Sequence, residues 1–194
     1  MPDILVSAPC ARQMFTECGP DCIRQNGCHG NCCDAPSRPN GTMITVHASE
    51  QHRIESLGGI VQNGMLQPRP GQRVCPFKIQ GLCSLHSAKT KPIGCVVSPF
   101  TLNSNGTLIV RNRYRMLPCY KGPGLKAPAY HVFFSSLAAI FGPGNARILV
   151  NHLAAGGGNT RVPVTAAMRD FLLENDLAKK NAKQQPHNRL ELRT

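Results

Sequence analysis

The sequence has no acidic residue between Glu55 and Asp170, although basic residues occur throughout that interval. A mechanism based on paired carboxylates therefore cannot be built from the middle of the chain. The formal net charge is +12, and the basic residues of the interval are Arg69, Arg73, Lys78, Lys89, Lys91, Arg111, Arg113, Arg115, Lys121, Lys126, Arg147, Arg161 and Arg169. This charge indicates a solvated basic face, a polyanionic partner, or cations that balance an anionic site.

Long hydrophobic segments are also missing. No stretch approaches the run of about 18 apolar residues that a membrane-spanning helix needs, so we expect no membrane association. The first residues, MPDILVSAPCARQ, lack the basic region and the apolar region of a secretory signal. We therefore expect a cytoplasmic protein, in which clustered thiols are more often metal ligands or catalytic groups than disulfides.

Several motifs of known enzymes are absent. The sequence contains no P-loop, no G-x-S-x-G, no H-E-x-x-H and no G-x-G-x-x-G after a strand. No catalytic nucleophile or base stands out, so the sequence leaves open whether the protein is an enzyme.

Cysteine, in contrast, is abundant, with ten residues in the chain. Residues 75–99, CPFKIQGLCSLHSAKTKPIGCVVSP, combine three cysteines and a histidine in the spacing C-x7-C-x2-H-x8-C. Turn-forming residues lie near these cysteines, and turns allow several sulfur atoms to point at one centre. A denser group, CGPDCIRQNGCHGNCC, lies upstream, and Cys119 lies downstream.

We interpret the three groups as converging on one inorganic site. The predicted metal ligands are Cys28, Cys32, Cys33, Cys75, Cys83, Cys95 and Cys119, and the further candidates are Cys18, Cys22 and His86. Lys91 lies four residues before Cys95 and precedes Pro92, which favours an extended backbone. We expect the Lys91 ammonium to compensate the charge of the thiolates.

Residues 18–120 resemble the zinc- or iron-chelating cysteine-cluster (YkgJ-type) family. The matching positions are Cys75-Pro76, Cys83, His86, Lys91-Pro92, Cys95 and Pro99, with Cys28, Cys32 and Cys33 as the upstream group. The upstream spacing is C-x5-C-x3-C-C from Cys22, whereas the family usually has C-x2-C-x2-C-C. The resemblance implies a bound metal, and an iron–sulfur cluster is a reasonable expectation for such proteins.

Both candidate cofactors use thiolate ligands. A zinc site and a 4Fe–4S cluster each require four ligands. The adjacent Cys32 and Cys33 are difficult to combine on one zinc ion, because successive side chains diverge. A 4Fe–4S cluster is therefore favoured, and zinc is the alternative.

We predict an α+β fold with an irregular cysteine-rich metal-binding core, short strands and a hairpin, packed with C-terminal helices. The predicted parts are a cysteine-cluster domain at 1–126, a helical part of the same unit at 127–182 and a flexible tail at 183–194. Strands are predicted at 4–6, 42–47, 95–102 and 107–113, an irregular loop at 60–74, and helices at 50–57, 130–141, 145–155 and 166–179. Ser49 and Thr165 are the expected helix caps, and Asn105-Gly106 predicts a type I′ hairpin.

The sequence thus favours a metal-binding protein that acts in redox chemistry or as an accessory component of a modification enzyme. The alternative is a zinc-stabilised nucleic-acid-binding module that uses a basic surface. Its candidate contacts are Arg111, Arg113, Arg115 and Lys121. The partner would be a protein or another polyanion, and the sequence indicates no oligomeric state.

Overall fold

The computed structural model describes residues 2–17, 44–72, 74–80, 82–85 and 90–174. The helices are α1 (Ala8–Ala11), α2 (Ala48–Ser56), α3 (Ile93–Val96), α4 (Pro118–Lys121), α5 (Ala129–Val132), α6 (Phe134–Phe141), α7 (Pro143–Ala154) and α8 (residues 166–174), with a 3₁₀ helix at Asn112–Met116. The strands are β1 (Asp3–Val6), β2 (Met14–Thr16), β3 (Ile44–Thr45), β4 (Ile60–Gln62), β5 (Met65–Gln67), β6 (Lys78–Ile79), β7 (Leu82–Cys83), β8 (Phe100–Leu102), β9 (Thr107–Val110), β10 (Lys126–Pro128) and β11 (Thr160–Pro163). The α+β fold class is confirmed.

Strand β1 is an inner strand of a four-stranded sheet of order β11-β1-β9-β8. It pairs antiparallel with β11, with Asp3 opposite Pro163, and parallel with β9. Ile4 and Val6 are buried, because alternate residues of a strand face the same side. The strand predicted at residues 4–6 is therefore confirmed.

A large apolar core contains residues of this sheet and of helices α5 to α8. Phe133 interrupts the predicted 130–141 helix and separates α5 from α6, with φ −109° and ψ 34°. Its ring packs edge-on against Phe15, Phe100 and Tyr114. These long-range contacts override the local helical preference, which the sequence pattern alone cannot reveal.

A second, smaller apolar core lies around the sheet β3-β5-β4 and helix α2. Ile54 of α2 and Leu66 of β5 are fully buried in it. The irregular loop predicted at 60–74 is wrong at its start, because β4 and β5 form a hairpin there. Asn63 and Gly64 at the turn have φ of 51° and 67°, which is the pattern of a type I′ turn.

The hairpin of β8 and β9 is present as predicted, but its turn is different. Asn103 Oδ1 accepts hydrogen bonds from the N–H groups of Asn105 and Thr107, and Gly106 N–H donates to the Asn103 carbonyl. Among the turn residues, Gly106 alone has a positive φ, of 70°. The geometry is that of a type I turn followed by a glycine bulge, in place of a type I′ turn.

Two predicted helix starts have different outcomes. Helix α2 begins at Ala48, two residues earlier than expected, because His47 is the cap and Glu50 completes the capping box. Ser49 is therefore not the cap. Helix α8 starts as predicted, with Thr165 Oγ1 accepting from the Met168 N–H at 3.3 Å.

Strand pairing joins the N-terminal residues to the later part of the chain. Strand β2 pairs with β10, with Thr16 opposite Lys126, and β1 pairs with β11. The predicted boundary between 1–126 and 127–182 therefore falls within a paired strand. The assignment of both parts to one unit stays a prediction.

Replacing Gly94 with Ala should lower the free energy of unfolding by about 1–3 kcal/mol. A Cβ atom at Gly94 would overlap the carbonyl oxygen of Thr45, where α3 passes close to β3. Gly144 in α7 has open space around the same position. Gly144→Ala should therefore be neutral or stabilising by up to about 1 kcal/mol, and urea unfolding of both variants measures the difference. Equal stability of the two variants would contradict the close approach.

Candidate metal centre

The structure brings three of the predicted ligands, Cys75, Cys83 and Cys95, into one place. Cys75 is buried in the small core, and Cys83 and Cys95 pack against it. The three thiols also interact electrostatically, since both Cys75 and Cys83 contribute to the pKa of Cys95. These residues come from separate short elements, so the small core has a sulfur-rich edge.

Cys75 and Cys83 are held by a short hairpin. The Lys78 N–H donates to the Cys75 carbonyl at 3.0 Å, which forms the turn leading into β6. Strand β7 then returns with Cys83 opposite Lys78. The Ser84 N–H donates to the Phe77 carbonyl at 2.8 Å and closes the hairpin.

Cys95 lies on helix α3, so the strand predicted at 95–102 is wrong in its first half. The carboxylate of Glu50 accepts the Ile93 N–H, at 3.2 Å to Oε1 and 3.0 Å to Oε2. It therefore satisfies an N–H at the start of α3 that has no partner within the helix. Arg53 pairs with Glu50 and donates to the Thr90 carbonyl at 2.7 Å. The segment before Cys95 is thus fixed by residues of α2.

Burial raises the pKa of Cys95 to about 12. Part of this increase in pKa comes from the neighbouring Cys75 and Cys83, and the cations Lys91 and Arg111 oppose it. The Cys95 thiol is therefore neutral at physiological pH. Lys91 opposes the rise in the Cys95 pKa, and its role in compensating the charge of thiolates stays a prediction.

Arg111 is buried, with 8% of its surface exposed. The sequence analysis predicted a strand over 107–113 and a basic surface that includes Arg111, and the burial of Arg111 contradicts its place on that surface. Strand β9 ends at Val110, and Arg111 directly precedes a 3₁₀ helix. Burial lowers the pKa of the Arg111 guanidinium, while Tyr114 and Cys95 act in the opposite direction.

The remaining basic candidates lie near the surface segment after β9. The Arg113 guanidinium stacks over the Tyr114 ring at 5.7 Å from its centroid, and Arg115 and Lys121 are exposed. Arg115 Nε donates to Gln13 Oε1 at 3.4 Å. Of the four proposed nucleic-acid contacts, Arg111 is therefore the one that is buried.

Cys119 has a different environment from the other three described candidates. It is buried on α4 as part of the large apolar core, whereas Cys75, Cys83 and Cys95 belong to the small core. Its predicted role as a ligand stays a prediction. The other candidates, namely Cys18, Cys22, Cys28, Cys32, Cys33 and His86, lie outside the described residues.

Within the described ranges, no group of three or more His, Cys, Asp or Glu side chains has the arrangement needed to hold a metal ion. The three thiols therefore share the small core without forming a metal-ligand group among the described residues. Across the same ranges, no helix has both the length and the apolar character needed to cross a membrane.

No family model matches the chain, and neither a curated protein nor a solved structure matches it. The resemblance to the cysteine-cluster family therefore stays a prediction that depends on the residue pattern of 75–99.

Replacing Glu50 with Ala should lower the free energy of unfolding by about 1–3 kcal/mol, because a partly buried N–H loses its charged acceptor. Glu55 lies exposed on the same helix and accepts a hydrogen bond from the Gln51 side chain at 2.9 Å. Glu55→Ala should cost less than about 0.5 kcal/mol. Chemical denaturation of both variants tests the difference, and a similar loss in both would exclude a special role for Glu50.

Proposed function

We propose that the protein is a metal-binding protein that holds an iron–sulfur cluster, or zinc, through clustered cysteines. The observation that carries the proposal is the approach of Cys75, Cys83 and Cys95 within one small core beside the buried cation Arg111. Buried thiols without a ligand would need no nearby cations, whereas a thiolate-bound centre is anionic and is stabilised by them.

The donor set fits such a group in chemistry, although the described residues do not by themselves arrange three such side chains to hold a metal ion. Cys75, Cys83 and Cys95 supply three sulfur donors, and zinc or a 4Fe–4S cluster takes four. The sequence-based candidates for the remaining position are Cys28, Cys32 and Cys33. An iron–sulfur cluster is favoured over zinc on the sequence argument, and when bound it would supply one-electron redox chemistry.

The local electrostatics also favour an occupant. Desolvation disfavours an isolated thiolate at Cys95, which is the reason for its raised pKa. A metal cation replaces the proton and neutralises the thiolate, so binding would couple deprotonation to metal uptake. Lys91 and Arg111 would then balance the remaining negative charge of the centre.

In this proposal the protein acts in redox chemistry or as an accessory component of a modification enzyme. The alternative is a zinc-stabilised nucleic-acid-binding module. Exposed Arg115 and Lys121 support that alternative, whereas the burial of Arg111 removes one of its contacts. Because binding to nucleic acid weakens steeply with added salt, a titration at two salt concentrations separates the two functions.

Replacing Cys83 or Cys95 with Ser should remove most of the bound metal, because a neutral hydroxyl is a poor substitute for a thiolate ligand. Cys10→Ser is the matched control, since Cys10 lies on α1, whose Ala8 and Ala11 belong to the large core. The measurements are metal and labile sulfide content and the visible absorption spectrum after anaerobic purification. A metal-free wild-type protein, or equal metal content in the variants, would refute the proposal.

Metal removal should loosen the small core and leave the large core intact. The small core contains few large apolar side chains, so ligation should contribute much of its stability. After chelation, we expect faster amide exchange in β3, α2 and α3 and unchanged exchange in β1 and β9. The measurement is hydrogen–deuterium exchange read by peptide, and uniform protection before and after chelation would contradict a structural metal.

A further inference from the structure

Arg111 carries two buried hydrogen-bond donors that are unsatisfied. Its Nε and Nη2 atoms make no hydrogen bond with the described residues, and 8% of the residue is exposed. Burial removes the hydration of a guanidinium, and an unmet donor on a charged group costs more free energy than one on a neutral group. An acceptor that carries negative charge would therefore stabilise Arg111 in this position.

The two unsatisfied atoms lie on the same edge of the guanidinium. In an arginine, Nε–H and one Nη2–H point in nearly parallel directions within the plane of the group. This fork matches two oxygen atoms of one carboxylate or phosphate group. A water molecule on the same edge could accept hydrogen bonds but would leave the positive charge uncompensated. The free edge of Arg111 thus has the chemistry of a bidentate oxyanion site.

Backbone hydrogen bonds fix the base of this side chain. The Arg111 N–H donates to the Pro99 carbonyl at 3.0 Å, and the Arg111 carbonyl accepts from the Tyr114 N–H at 3.0 Å. These bonds join the end of β9 to the segment after α3 and to the 3₁₀ helix. The donor edge therefore extends from an ordered part of the fold, and donors that are already in place bind a ligand at a lower entropic cost.

The charges around Arg111 favour an occupant with more than one negative charge. The sequence has no acidic residue between Glu55 and Asp170, and this interval includes both backbone partners of Arg111. Burial lowers the pKa of Arg111, and the second cation Arg113 lowers it as well. The Arg113 guanidinium lies over the Tyr114 ring, two residues after Arg111. A phosphate monoester carries a charge of about −1.5 to −2 at pH 7, whereas a carboxylate carries a single charge.

We propose that Arg111 forms an oxyanion site that takes a phosphate group, with Nε–H and Nη2–H donating to two of its oxygen atoms and Arg113 adding a second positive charge. The inference does not depend on the proposed function, because it uses the donor edge of Arg111 and no sulfur atom. The phosphate is either the free inorganic ion or the phosphate group of a small monoester. The exposed cations Arg115 and Lys121 lack this burial and form no part of the site.

The experiment titrates inorganic phosphate and phenyl phosphate into the full chain by calorimetry at constant ionic strength. The proteins compared are the wild type, Arg111→Lys, Arg111→Met and Arg115→Met. We expect saturable binding to wild type and about 10- to 100-fold weaker binding to Arg111→Lys, because a lysine keeps the charge but lacks the planar fork. Arg115 is exposed in the same segment, so Arg115→Met is the matched control and should bind as wild type does.

Thermal unfolding gives an independent readout. In phosphate-free buffer, Arg111→Met should raise the thermal midpoint, because it removes a buried charge that has no anion beside it. Added phosphate should raise the midpoint of wild type and leave that of Arg111→Met unchanged. If Arg111→Met does not fold, the affinity of Arg111→Lys decides the question.

Two outcomes support the site and identify the source of the phosphate. Tighter binding of phenyl phosphate assigns the site to a monoester, and tighter binding of inorganic phosphate assigns it to the free ion. The inference is overturned if neither probe binds, or if wild type and Arg111→Lys bind with equal affinity. Equal weakening in Arg115→Met would show a diffuse effect of surface charge and would also overturn it. Acetate that binds as tightly as phosphate would refute the assignment to a phosphate group.

Discussion

The arrangement of the thiol centre depends on the carboxylate of Glu50. It accepts the Ile93 N–H at the start of α3 and pairs with Arg53, which in turn binds the Thr90 carbonyl. The chain from residue 56 to residue 169 has no acidic residue of its own, so this helix start receives its negative charge from α2. Gly94 of α3 also packs closely against Thr45 of β3. Together these contacts hold Cys95 beside the hairpin that carries Cys75 and Cys83.

The described residues form two apolar cores that differ in composition. The large core, built from the β11-β1-β9-β8 sheet and the C-terminal helices, contains most of the large buried side chains. The small core is the one that carries thiols at its edge. A Cys95 thiolate and an Arg111 guanidinium are each unfavourable as isolated ions, since desolvation disfavours the charged form of both groups. An anionic metal–thiolate centre would make the two groups complementary, which is the physical basis of the proposed function.

Local sequence signals predicted the elements that local interactions stabilise. The Thr165 cap, the strand at the N-terminus and the β8–β9 hairpin depend on side-chain types and near neighbours, and all three are present. The Asn63-Gly64 turn carried a usable signal that the surrounding Gly and Pro residues obscured. The break at Phe133 had no such signal, because it depends on aromatic rings contributed by distant segments. The helical conformation around Cys95 likewise depends on Glu50, which accepts a hydrogen bond from Ile93 across a sequence separation of 43 residues.

By itself, the sequence determined the α+β class, the spacing of Cys75, Cys83 and Cys95 among turn residues, and the lack of carboxylates in the middle of the chain. These follow from composition and from short-range preferences for turns and strands. Tertiary structure alone decided that Cys119 joins the large core and that Arg111 is buried. The alternation of side chains along a strand predicts which face of the sheet a residue lies on only while the strand continues, and β9 ends at Val110. Beyond that point, burial depends on long-range packing, which no local pattern encodes.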